Sequence, residues 1–226
     1  MARSRRTVLA VVTAVAGLAL SACSVHPGSA AVVGAESISE SRVDDVAGAL
    51  CAAQKGGQNG GQDLASRGAR QGALDVLING ALSRQYGAAQ GVQPDQGQVS
   101  AALAANAKNI SGLPPAMRQD FTDTLREYAE GQLMLIDIGR RELAKAGKQN
   151  VTEQQAVSEG TKLRNAWAAK HVKVAVDPRF GEYANNALLP KSGSLSVAAS
   201  KSATDGGSPD PSPGWVAALP ASQKCS

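Results

Sequence analysis

Aromatic residues are scarce in this chain. Tyr86, Phe121, Tyr128, Trp167, Phe180, Tyr183 and Trp215 are the only seven in 226 residues. A core must therefore be assembled from Leu, Val, Ile and Ala, and alanine alone supplies 41 residues. That favours close-packed helices over an aromatic-rich β-sandwich or an aromatic-lined ligand pocket. Histidine is scarcer still, at His26 and His171, and the three cysteines form no C-x-x-C. A zinc site is excluded on those grounds, and no metal or cofactor is expected. No G-x-S-x-G, G-x-G-x-x-G or P-loop is present. The glycines at 56–57 and 60–61 alternate with Gln and Asn, as in a loop rather than a phosphate cradle. Basic surplus is also lacking. The formal charge of +4 includes Arg3, Arg5 and Arg6; without residues 1–22 the count is 20 Lys+Arg against 19 Asp+Glu, a net of +1. That balance, with so few aromatics, argues against a nucleic-acid partner.

Long apolar runs are absent except at the N-terminus. Thr7 to Leu20 is apolar or small for about 14 residues, too short for a permanent membrane span. Three arginines precede it, and Leu20-Ser21-Ala22-Cys23 follows. A basic region, an apolar stretch and this four-residue ending resemble a bacterial lipoprotein signal peptide. The resemblance implies that 1–22 is removed and that the Cys23 thiol accepts diacylglycerol. The chain would then sit, acylated by lipids such as palmitate, on the extracytoplasmic face of a cell membrane. Ser4-Arg5-Arg6-Thr7-Val8-Leu9 also resembles a twin-arginine signal, but lacks its following basic residue, so the general and twin-arginine export routes both stay open.

Residues 23–30 have the composition of a short tether, with His26 a solvated linker histidine. Ala31 to Ile38 reads as a strand with a reversal at Gly34. Ser39 can cap a helix over 40–54, with Glu40 suiting its dipole and Ile38 stapling to Val43. Val43, Val46, Ala47, Leu50 and Cys51 share one face. A second helix over 64–89 carries Leu74, Leu77, Ile78, Ala81, Leu82 and Gln85 at helical spacing. A third opens at Pro94, with Val99, Leu103, Ala107 and Ile110 on one stripe. The fourth, over 115–147, places Phe121, Leu125, Tyr128, Ala129, Leu135, Ile136 and Leu143 within roughly a 120° arc. Gly139 interrupts that stripe where a neighbouring helix can approach, and Gly147 suits the helix end. Thr152-x-x-Gln155 is a capping box opening a fifth helix to about Lys170. Val172 to Val176 alternates like a strand and ends in an Asp-Pro-Arg-Phe-Gly turn. Leu195 to Val197 has the pattern of another short strand, and 200–214 the composition of disorder. The expected fold is mainly α: a bundle of about five helices with a small β ribbon joining 31–38 to 172–176.

Ala31-Val32-Val33-Gly34-x-x-x-Ile38-Ser39 resembles the opening of the helical chaperone domain of the SurA/PrsA/trigger-factor group. Val174-x-Val176-Asp177-Pro178-Arg179-Phe180-Gly181 resembles its close in actinobacterial lipoproteins. The resemblance implies a chaperone-like domain over 31–190 and a Ser/Pro/Gly-rich tail over 191–226. Many foldases of this group carry a parvulin prolyl-isomerase domain. The residues after 184 are too few for one, and His26 and His171 form no evident pair. The chain is therefore expected to be no enzyme. It is expected to hold unfolded or newly exported polypeptides without covalent chemistry. An adaptor lipoprotein that binds one specific envelope partner is the alternative.

Among carboxylates, Asp44-Asp45 and Asp120/Asp123 read as solvated or helix-dipole residues. Phe121, Leu125, Tyr128, Leu135 and Ile136 form a face that is either core or client groove. With Cys23 acylated, Cys51 and Cys225 are two cysteines in an oxidising compartment. They either pair or remain a buried thiol and a free one.

Overall fold

The computed structural model describes residues 27–55, 64–189, 200–208 and 211–225. Cys23 and His26 lie outside them, as does the strand expected over 195–197. The fold is mainly helical with small antiparallel sheets. β1 (Ser29–Val33) turns at Gly34, which has a φ of 62°, into β2 (Glu36–Ser39). Its other edge pairs with β3 (Val174–Val176), placing Val32 opposite Ala175. The strand order is therefore β2-β1-β3, the ribbon expected from the two alternating segments. β1 begins inside the stretch expected as tether. Ser29 and Ala30 are buried, and the Ser29 hydroxyl meets Ser37 Oγ at 2.9 Å.

α1 (Glu40–Lys55) follows β2 directly, with the Arg42 amide donating to Ser39 Oγ at 3.2 Å. Ile38 and Val43 are both buried, as a hydrophobic staple requires. α2 (Ser66–Ala89) buries Leu74, Leu77, Ile78, Ala81 and Leu82. Gln85 instead donates from Nε2 to the Val33 carbonyl at 3.0 Å, tying the helix to β1. These elements build one core cluster with Ala168 and Phe180. A second gathers Tyr86, Val92, Met134, Leu135 and Ile138, and Trp167 packs against both.

The expected third helix is two: α3 (Gln96–Ala105) and α4 (Ala107–Gly112). Asp95, not Pro94, caps α3, its carboxylate accepting from the Gly97 and Gln98 amides. The chain breaks at Asn106, whose side-chain amide donates back to the Ala102 carbonyl at 2.9 Å. Such local bonds compete with a continuing helix. α5 (Pro115–Lys145) runs 31 residues and ends where the Lys148 amide reaches the Leu143 carbonyl across Gly147, at φ 75°. α6 (Glu153–His171) opens with both bonds of the Thr152/Gln155 capping box. α5 and α6 pack closely because Gly139 and Gly160 face backbone: a Cβ on Gly139 would run into the Ala156 carbonyl, and one on Gly160 into that of Leu135.

Beyond β3, Asn185 and Asn186, both at positive φ, turn β4 (Glu182–Ala184) into β5 (Ala187–Leu189). Two successive positive φ values match a tight hairpin turn, which asparagine tolerates. The expectation of disorder over 200–214 is corrected for its described residues. Ser200 and Ser212 cap α7 (Lys201–Gly206) and α8 (Pro213–Ala217), and a 3-10 turn follows over Ala221–Gln223. Trp215 donates from Nε1 to the Ser202 carbonyl at 2.8 Å, and Val216 is buried. Polar composition misled because the segment is fastened from outside: the Cys225 amide donates to the Leu64 carbonyl at 2.8 Å, and Ala65 bridges Lys224.

Candidate functional site

α5 carries the five-residue face singled out in the sequence, and the fold divides it. Leu135 is 0% exposed and Ile136 7%, both within the packed interior. Phe121 and Leu125 are half-buried and Tyr128 is 40% exposed. With Leu64, Tyr128 is one of two exposed large apolar side chains among the described residues. The division follows from what covers the helix. Its C-terminal half is pressed by α2 and α6 through Gly87, Gly131 and Gly139, where a Cβ would strike Met134, Ser83 and Ala156. Its N-terminal half meets α1, where Met117 lies against Gly48, and the short α3 and α4. In that pair Leu103 and Ile110 are themselves only half-buried. Apolar surface on this half is left over after the interior is complete.

A polar rim borders the same half. Ser41, Arg42, Asp45, Asp120, Asp123 and Glu127 line a shallow cleft of about 420 Å³. Glu127 accepts from Arg42 at 2.7 Å and from Arg84 at 3.0 Å, and Arg84 also reaches Glu36 at 2.8 Å. These half-buried pairs tie β2, α1, α2 and α5 together. Nothing in the sequence spacing announces them, because the partners come from four elements. The same holds for Arg164, which is buried and donates to Ser83 Oγ at 3.1 Å and to Asn165 Oδ1 at 2.7 Å. Burial lowers its pKa, while nearby Tyr183 and Asp75 act the other way.

Cys51 and Cys225 are joined in a disulfide, with Cα atoms 5.2 Å apart. Of the alternatives open in the sequence, the structure has the paired one. The bond ties the tail to α1, and residues of that tail form one wall of a cleft of about 650 Å³. Arg67, Arg70, Arg179, Phe180 and Trp215 line it, with serines from the tail and, among the described residues, no carboxylate. Arg70 stacks over the Phe180 ring at 4.8 Å and donates from Nε to Asp44 at 2.5 Å. Arg179 donates to Asp177 and Glu40 at 2.7 and 2.6 Å. Its hydrogen bond holds the Asp177 carboxyl below the usual range. Among the described residues Arg67 has a single long contact, 3.4 Å to the Gly206 carbonyl.

No protein-family model, curated protein or solved structure matches this chain.

His171 stacks on Trp167, ring centroids 5.5 Å apart. Among the described residues no cluster of three His, Cys, Asp or Glu is placed to hold a metal. No described helix is long and apolar enough to cross a membrane.

Proposed function

We propose that this chain is a lipid-anchored, extracytoplasmic holdase: a lipoprotein that binds unfolded or newly exported polypeptides reversibly and without catalysis. The observation that carries the reading is the divided face of α5, where Phe121, Leu125 and Tyr128 stay partly open while Leu135 and Ile136 are enclosed. Open apolar surface gains about 25 cal/mol per Å² when covered, so a few hundred Å² yields several kcal/mol gross. Association entropy offsets much of that, which gives weak, reversible holding. The resemblance at Val32–Ser39 and Val174–Gly181 supports the same reading, as does the lipoprotein-like ending at Cys23.

The test uses the mature chain with Cys23→Ser, so that it stays soluble. It should suppress light scattering from a denatured client and leave proline-limited refolding unaccelerated. Tyr128→Glu and Phe121→Glu should weaken suppression while leaving the folded state intact by circular dichroism. Unchanged scattering at molar excess would remove the holdase reading, and one stoichiometric co-purifying partner would favour the adaptor. In cells, Cys23→Ala should free the protein from membranes or leave an unprocessed precursor.

A further inference from the structure

The arginine-lined cleft lies on the side of the body where the tether arrives. The Gly28 carbonyl accepts from the Glu40 amide at 2.9 Å, and the Glu40 carboxylate holds Arg179 in the cleft wall at 2.6 Å. Gly28 stands only five positions after Cys23, with 24–27 between them. Fully extended, that stretch spans at most about 17 Å. A lipid on Cys23 therefore confines this end of the body to the headgroup layer of the membrane that anchors it.

The wall presents guanidinium donors. Arg70 bonds Asp44 through Nε, and its terminal nitrogens donate to none of the described residues. Arg67 has no carboxylate partner there. The carboxylates that hold the other two arginines, Asp44, Asp177 and Glu40, are not among the residues lining the cleft. An entering anion meets guanidinium groups first, in the planar fork suited to phosphate oxygens. Half-buried Trp215 stands beside them, with an apolar body and a polar edge suited to a headgroup boundary.

We propose that the cleft receives the phosphate of an anionic phospholipid headgroup, holding the body at a fixed orientation against the membrane to which Cys23 tethers it. The geometry rests on the reading of Cys23 as the anchor. Each contact can be weak, because the tether makes the second encounter intramolecular.

The non-acylated mature chain, Cys23→Ser, is titrated with vesicles of phosphatidylcholine mixed with phosphatidylglycerol, and with phosphatidylcholine alone. Sedimentation and Trp215 fluorescence report binding, with Trp215→Phe fixing the optical signal. Preference for the anionic vesicles is expected. Arg67→Gln should lower the partition about fivefold, and Arg67→Gln with Arg70→Gln about twenty-fivefold if the effects add. Arg67 makes the fewest contacts, so its variant separates binding from folding. Arg140→Gln, an exposed arginine on α5, should change the partition little. Equal partition onto both vesicles, or an equal loss from Arg140→Gln, overturns the proposal. So does a Trp215 response to inorganic phosphate with none to vesicles, which would assign the cleft to a soluble phosphate compound. The measurement does not involve Cys23. A chain that fails to anchor in cells but binds anionic vesicles refutes the anchor alone, and the reverse refutes the cleft alone.

Discussion

Replacing Gly139 by alanine should destabilise the protein although alanine is the better helix former. The intrinsic gain from Gly to Ala in a helix interior is about 1 kcal/mol. Against it stands the packing of α5 on α6. The added Cβ would overlap the Ala156 carbonyl oxygen and crowd its carbon and the Gly160 nitrogen at 2.8 and 2.9 Å. These are backbone atoms, so no side-chain rotation relieves the overlap and one helix must shift. Such a shift loosens Leu135 and Ile138, which are packed into the second core cluster. Overpacking of this kind costs about 3 kcal/mol, leaving about 2 kcal/mol of net destabilisation. For a chain of this size that lowers Tm by about 4–8 °C. Gly72 supplies the control: it is exposed within α2 and a Cβ there meets nothing within 4 Å. Gly72→Ala should raise Tm by a few degrees through propensity alone. Thermal unfolding followed by circular dichroism measures both. If Gly139→Ala is as stable as the parent, or shifts in the same direction as Gly72→Ala, the close crossing is not what glycine serves there.

Two further outcomes follow from particular contacts. The disulfide closes a loop of sequence separation 174, for which loop entropy gives about 5 kcal/mol as an upper figure; Cys225→Ser should cost about 2–4 kcal/mol in guanidinium unfolding, and a non-reducing thiol count on the parent, with residue 23 replaced, should find none free. The Tyr183 hydroxyl is buried without a hydrogen-bond partner among the described residues, and burial raises its pKa, with Arg164 opposing. The neutral phenol is thus favoured in the folded state, so its contribution is fully present below about pH 10 and is lost as pH rises through the higher folded value. Tyr183→Phe should leave neutral-pH stability equal or higher and flatten the alkaline loss, and a marked destabilisation near pH 7 would show that the hydroxyl has a partner after all.

What could be read from the chain beforehand divides by range. Thr152 and Gln155, Pro115, Gly147 and the Ile38–Val43 staple act within a few residues of themselves, and the helix ends they imply are where the structure has them. Asn106 is equally local, but the stripe through Val99, Leu103, Ala107 and Ile110 masks it, since a break of one residue leaves helical spacing nearly intact. The order of the tail could not be seen because it is imposed from a distance by Cys51 and Leu64. The arginine cleft was invisible for the same reason: Arg67 and Arg179 lie more than a hundred positions apart. On α5 the spacing put Phe121 to Leu143 within one arc, and the structure encloses Ala129, Leu135, Ile136 and Leu143 while leaving Tyr128 exposed. Which part is enclosed depends on where the small residues of α2 and α6 let those helices approach.

The sheet has its earliest strand in the middle. β1 pairs on one side with β2, which follows within a few residues, and on the other with β3, more than 140 positions later. In a chain that leaves the ribosome or a translocon N-terminus first, the β1–β2 hairpin exists long before its third strand does. During that interval the outer edge of β1, with the backbone groups of Ala30, Val32 and Gly34, offers unpaired hydrogen-bonding groups to any passing strand. Chains emerging side by side are then at risk of pairing β1 with β1, and the hazard ends only when α6 delivers Val174–Val176 to that edge. Slowing elongation between α2 and α6 would lengthen the exposed period, and speeding it would shorten it, with no change to the finished molecule.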